Sequence, residues 1–135
     1  MAINTYEAQF SISSKGALTQ ESYAGVFTVK TRISHMDRLK IDTIRRELLG
    51  PNPAGQEVND DANAISIMLS TLRVRVLKAP SWWTESAHGA ELADENILAE
   101  VYTAAMKAEA ELTKATIKAG EDAKKTLTGL EPKDI

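Results

Sequence analysis

A chain of 135 residues with 43% hydrophobic and 26% charged residues has room for one modest core and the surface of an ordinary globular domain. A net charge of −3 argues against broad binding to a phosphate backbone, and the lack of cysteine removes disulfides, thiolate metal sites and cysteine nucleophiles together. No run of about 18 apolar residues is present to span a membrane, and the start Met1, Ala2, Ile3, Asn4 and Thr5 lacks the basic and apolar regions expected of a secretory signal.

Residues 1–33 alternate. Tyr6, Ala8, Phe10 and Ile12 share one face of an extended segment, and Tyr23, Gly25, Phe27, Val29, Thr31 and Ile33 share one face of a second. Ser13, Ser14, Lys15 and Gly16 signal a turn between them, with 17–22 as a longer loop. The expectation is a β-hairpin. Because a lone hairpin is barely stable in water, it must pack on the helices or pair an edge with another chain. Tyr6, Phe10 and Phe27 are therefore candidates for partner contact.

Ser34 is placed to cap a helix with Asp37 in its first turn. Met36, Ile41, Ile44 and Leu48 form its apolar stripe, and Asp42 stands at helical spacing from Arg45 and Arg46. The basic residues Lys30, Arg32, Arg38, Lys40, Arg45 and Arg46 read as a solvated face, with contact to an acidic partner surface as the alternative. Gly50 and Pro51 end the helix, and 51–55 is a turn-rich connector.

Asn59 or Asp60 caps the next helix. Ala62, Ile65, Leu69, Leu72 and Val76 repeat three and four apart, flanked by Ile67, Met68, Val74 and Leu77. This breadth predicts the central, most buried helix, running until Lys78, Ala79 and Pro80 stop it. Arg73 and Arg75 interrupt it. They are expected either to pair within the chain with Glu85, Glu91 or Asp94, or to bridge to another subunit.

Trp82 and Trp83 follow Pro80 directly. In an extended segment the two rings face opposite ways, whereas a tight turn lets them share a side. One is expected to close the gap between the last two helices, and the other to anchor a partner. After a polar loop, Asp94 caps a long final helix whose apolar face is Ile97, Leu98, Val101, Tyr102 and Ala105. From Ala108 onward helix propensity stays high while few residues remain to bury. A helix continuous to about Leu127 is roughly 50 Å long, so its last third must project, fold back at Gly120 or lie on a neighbour.

His35 and His88 have no metal-ligand spacing. Glu57, Asp60 and Asp61, like Asp94 and Glu95, are explained by the positive end of a helix dipole. No phosphate loop, nucleophile elbow or His-Glu-x-x-His pattern occurs. The expectation is no enzyme, no catalytic residue, no cofactor and no metal.

The Arg-Arg-Glu-Leu-Leu-Gly segment at 45–50, the stretch at 72–83 through Pro80 to Trp83, and the stretch at 89–102 from Gly89 to Tyr102 follow a strand opening with Phe27 and ending at Ile33. In this order they resemble small structural and assembly proteins of tailed bacteriophages, such as minor capsid or decoration proteins and tail assembly chaperones. The resemblance covers about residues 23–110. It implies a virion protein assembled in the host cytoplasm, acting through contacts with major capsid, neck or tail proteins and through self-association, without membrane or direct nucleic-acid contact. The alternative it implies is a tail assembly chaperone missing from the finished particle. The expected architecture is α+β: N-terminal strands or arm (1–33), a three-helix core (34–107) and a C-terminal helical extension and tail (108–135). The candidate partner-contact residues are Tyr6, Phe10, Phe27, Arg73, Arg75, Trp82 and Trp83.

Overall fold

The computed structural model describes residues 6–50 and 59–130, with side chains described as far as Lys124. Two strands, β1 (Glu7–Lys15) and β2 (Ser22–Lys30), form the antiparallel hairpin that the alternation predicts. Pairing runs from Glu7 opposite Lys30 to Lys15 opposite Ser22, so Ser13, Ser14 and Lys15 extend the strand and the turn is confined to 16–21. Helices α1 (His35–Leu49) and α2 (Asp60–Arg75) follow. A short strand β3 (Val76–Lys78), a single-turn helix α3 (Ser81–Thr84) and the long helix α4 (Glu95–Leu130) complete the described chain. The fold is α+β, with sheet order β1-β2-β3 and α4 packed on β1.

Local signals set the helix ends. The Ser34 hydroxyl accepts from the Asp37 N–H, and the Asp37 carboxylate accepts from the Ser34 N–H, a reciprocal capping box. Asp42 takes Arg46 at 2.6 Å and Arg45 at 3.3 Å. Gly50 closes α1 at φ 73°, where a side chain is disfavoured, and its N–H donates to the Arg46 carbonyl. The Asn59 side chain caps α2 by accepting from the Asp61 and Ala62 N–H groups. The connector expected at 51–55 and Glu57 lie outside the described residues.

Two expectations change and one open alternative is decided. First, α2 stops at Arg75, because Val76 and Lys78 pair with Val29 and Thr28, with a register shift between the two pairs. Second, the tryptophans belong to a helical turn entered from Pro80, whose carbonyl accepts from the Trp83 N–H. Third, α2 is not the most buried helix. Its interior face is largely Ser66, Ser70, Thr71 and Leu72, while Ile67 is open to solvent. The first half of α4 supplies more of the core, with Ile97, Leu98, Val101 and Ala105 buried.

The core lies between the hairpin and the helices, built from Ile12, Phe27, Val29, Leu72, Trp83, Leu98, Val101 and Ala105. Trp83 is fully buried and packs edge-on against Phe27 at 5.4 Å, and Phe27 stacks on Phe10 at 5.2 Å. Gly89 lies so close over the indole that a β-carbon there would fall 2.5 Å from it.

Helix and sheet differ in length. The nine residues of β1 span about 30 Å, which a helix covers in about 20 residues. α4 has 36 residues and so extends about 54 Å. Its side chains become uniformly exposed after Leu112, where the sheet beneath it ends, and it runs on through Gly120 without folding back. The boundary drawn at 107/108 falls inside one continuous helix.

We expect Trp83→Ala to destabilise the protein by about 3–5 kcal/mol through the cavity it leaves. Trp82→Ala, at a half-buried position, should cost about 1–2 kcal/mol. Urea titrations of both variants, followed by circular dichroism, check the ranking.

Candidate functional site

Asp94 precedes α4 as predicted, yet its side chain serves the hairpin rather than the helix. The buried carboxylate accepts the Leu18 N–H at 2.8 Å, the Thr19 N–H at 2.9 Å, the Thr19 hydroxyl at 2.5 Å and the Tyr23 hydroxyl at 2.9 Å. The Thr19 hydroxyl is the largest influence, and with the backbone donors it outweighs burial and brings the Asp94 pKa down to about 2. In turn, the hydrogen bond to this carboxylate, with burial, raises the Tyr23 phenol above its usual value. Gly16 makes the approach possible, since a β-carbon there would lie 2.1 Å from the Asp94 carboxylate. Asn96 accepts from the Ala17 N–H and donates to the Lys15 carbonyl, and the Ser14 hydroxyl lies 2.8 Å from both Glu100 carboxylate oxygens. Among the described residues, the carboxylate with the most strongly lowered pKa is thus occupied in joining the hairpin turn to the start of α4.

The candidate contact residues separate by depth. Phe27, Trp83 and Arg75 are interior, and the partner contact expected of them gives way to packing within the chain. Phe10 and Trp82 are half-buried. Trp82 packs edge-on to Tyr23 and Phe27, and its indole N–H donates to the Ala24 carbonyl at 3.0 Å. Tyr6 is exposed, with the Arg32 guanidinium 5.3 Å from its ring centre. Arg73 is exposed and makes no ion pair among the described residues.

Arg75 pairs inside the chain, though not with Glu85, Glu91 or Asp94. Its guanidinium meets Glu109 of α4 at 3.1 Å and donates to the Lys30 carbonyl at 3.2 Å, tying α2, β2 and α4 together. The reason is direction: β3 carries the chain away from α2 toward β2, and that turns Arg75 to the side where α4 crosses. Its Nε and the Thr31 hydroxyl find no partner in the described interior.

Asp37 holds the other end of the hairpin. The Ser34 N–H draws its carboxyl below the usual range, burial opposes this, and the Lys30 ammonium at 3.3 Å assists. The exposed His35 begins α1. His88, half-buried in the loop after α3, is lowered by burial and by the nearby Arg73 charge.

Shallow clefts indent the surface of the described residues. One, of about 220 Å³, lies between α1, α2 and the 87–90 loop and carries Arg73, His88 and Glu47. Its loop holds Ala87, His88 and Gly89 in succession at φ 54°, 55° and 91°, a conformation that costs a non-glycine residue about 1–2 kcal/mol. The second, of about 530 Å³, runs between β1 and α4 from Glu7 to Leu112. The third, of similar size, is bordered by Tyr6, Arg32, Asp37 and Leu77. No group of three or more His, Asp or Glu residues among those described is placed to hold a metal ion. No described helix is long and apolar enough to cross a membrane.

What the surface offers is contact. β1 is an edge of the described sheet, flanked on one side only. Leu18 stands 74% exposed at the rigid hairpin turn, and Met36, Leu39 and Leu48 of α1 and Ile117 of α4 are also exposed. Sequence reasoning missed β3, which is three residues long and adjoins the apolar run of α2. It also missed the hairpin role of Asp94, for which no local pattern exists. The chain matches no protein-family model, no curated protein and no solved structure.

Two outcomes follow for stability. The folded-state pKa of Asp94 lies below the ordinary 3.8, so its stabilisation is present above that value and is lost as pH falls toward about 2. Asp94→Asn should lower stability at pH 7 and flatten the acid limb of the profile, leaving the smaller slope due to Asp37; urea midpoints measured from neutral pH downward check this. Glu109→Ala should cost about 2–3 kcal/mol by leaving the Arg75 guanidinium buried without its anion, read from the same titrations.

Proposed function

We propose that this chain is a non-enzymatic structural protein of a tailed-phage virion, seated on or between capsid or neck subunits as a minor or decoration protein. The observation that carries the reading is the overhang of α4, a preformed helix whose side chains are all exposed over residues 113–124. It extends about 25 Å past the sheet that covers its first half. A protein that acted alone would gain little from such a rod, whereas a protein that links neighbours uses it to reach one of them.

Two further features support the reading. The edge strand β1 has backbone groups directed away from β2, which suits strand addition from a neighbour's sheet. Large apolar side chains stand exposed on α1, on the hairpin turn and on α4, where small contacts spread over several faces fit a chain surrounded by partners. The resemblance in residues 23–110 supplies the phage context, and the virion with assembly in a host cytoplasm is the corresponding location.

Mass spectrometry of purified particles from the encoding phage should find the chain at a fixed ratio to the major capsid protein. A chain truncated after Leu112 should keep the stability of the body and fail to enter particles. Absence of the full-length chain from particles, with recovery on a tape-measure or tail-tube protein in the lysate, would overturn the virion role in favour of the tail assembly chaperone.

A further inference from the structure

Ile117 is 57% exposed on the overhang of α4. Lys114 lies three residues before it and Glu121 four after, so the three share one helical face, with the two charges about 10 Å apart along the axis. This face points away from the one that α4 lays on the sheet through Val101, Ala105 and Ala108, so the chain's own body does not cover it. The result is an apolar knob between a cation and an anion.

The cleft between α1, α2 and the 87–90 loop has the opposite form. Ile44, Leu48 and Leu69 give it apolar walls, while Glu47 on α1 and Arg73 on α2 stand at its border. Neither charge has a partner among the described residues. The volume of about 220 Å³ is below the roughly 300–1,000 Å³ of small-molecule sites and suits a single aliphatic side chain. The left-handed turn at residues 87–89 forms the third wall, pinned where Gly89 lies against Trp83.

We propose that the cleft receives Ile117 from a second copy of this chain, with that copy's Glu121 on Arg73 and its Lys114 on Glu47. Knob and cleft occupy different faces, so the contact is head-to-tail and repeats into a ring or an open array. Each contact is small and weak by itself and gains strength when many chains are held in register. The inference deepens the assembly reading above and takes its biological sense from it. Its test uses purified protein alone, so a monomeric chain would leave the virion role standing, and absence from particles would leave this contact standing.

Sedimentation equilibrium of the full-length chain, carried into the millimolar range, should show concentration-dependent association past the dimer. Arg73→Glu and Glu121→Arg should each weaken it about tenfold or more by opposing like charges. The chain carrying both substitutions should recover association to within about threefold of the parent. Ile117→Asp and Leu48→Asp should each leave monomers, while an equimolar mixture of the two should stop at a heterodimer, since one intact knob meets one intact cleft. All four positions are at least half-exposed or on the surface, and circular dichroism confirms that the variants remain folded. A chain that stays monomeric at every concentration, association that the charge reversals leave unchanged, or a double variant that fails to recover would each overturn the proposal.

Discussion

The arrangement of the whole molecule depends on one carboxylate. Asp94 receives two backbone N–H groups and two hydroxyls from the hairpin turn and the following strand, so the sheet and the longest helix share a common origin. Hydrogen bonds to a charged acceptor are worth about 1.5–3 kcal/mol each where the group stays ionised, and four on one buried anion leave it little freedom. Asn96 and Glu100, on the next turns of α4, extend the joint along β1. Because a helix is stiff, fixing its first turn on the hairpin and its midpoint through Arg75 and Glu109 also fixes where its far end points. The direction of the overhang is therefore decided by contacts made before it begins.

The interior is small and organised by rings. Phe27 touches Phe10, Trp82 and Trp83, so one strand residue joins the edge strand to the α3 turn. Offset and edge-on pairs of this kind add about 0.5–1.5 kcal/mol each to the burial of their area. By contrast, α1 buries only Asp37 fully and leaves Met36 and Leu39 more than half-exposed. It is held by its capping box, by the Lys30–Asp37 pair and by its packing on α2. The cleft lined by Ile44, Leu48 and Leu69 lies at the margin of that packing, where a side chain from outside has the least to displace.

Legibility in the sequence followed distance along the chain. The Ser34 cap, the Asp42 pairs, the Gly50 stop, the Asn59 cap and the two alternating strands were readable because each depends on residues within a turn or two. Period-two alternation also placed Ile12, Tyr23, Phe27 and Val29 on the inward faces, whereas Thr28 is buried from the other side of β2 and Tyr6 is exposed. What could not be read was who meets whom. Asp94 finds its partners more than seventy residues earlier, and Arg75 finds Glu109 rather than the nearer Glu85, Glu91 or Asp94. Carboxylates beside a predicted helix start have a sufficient local explanation, and that explanation hid the longer-range one. That one tryptophan closes the core was legible, and only packing could show that it is Trp83.

The overhang of α4 follows from helix cooperativity rather than from tertiary packing. Starting a helix is the unfavourable step, while extending an existing one adds a hydrogen bond for each residue fixed. The first half of α4, anchored by Asp94 and by burial of Ile97 through Ala105, removes the nucleation cost for everything beyond it. Residues 113–124 then need only adequate propensity, which their Ala, Lys and Glu content provides; Gly120 costs about 1 kcal/mol relative to alanine without breaking the run. A segment ordered in this way has already lost its backbone freedom before any partner arrives. Binding to it therefore avoids the ordering cost that a disordered tail of the same length would incur. That is how a core of this size can hold a rigid reaching element that it does not itself cover.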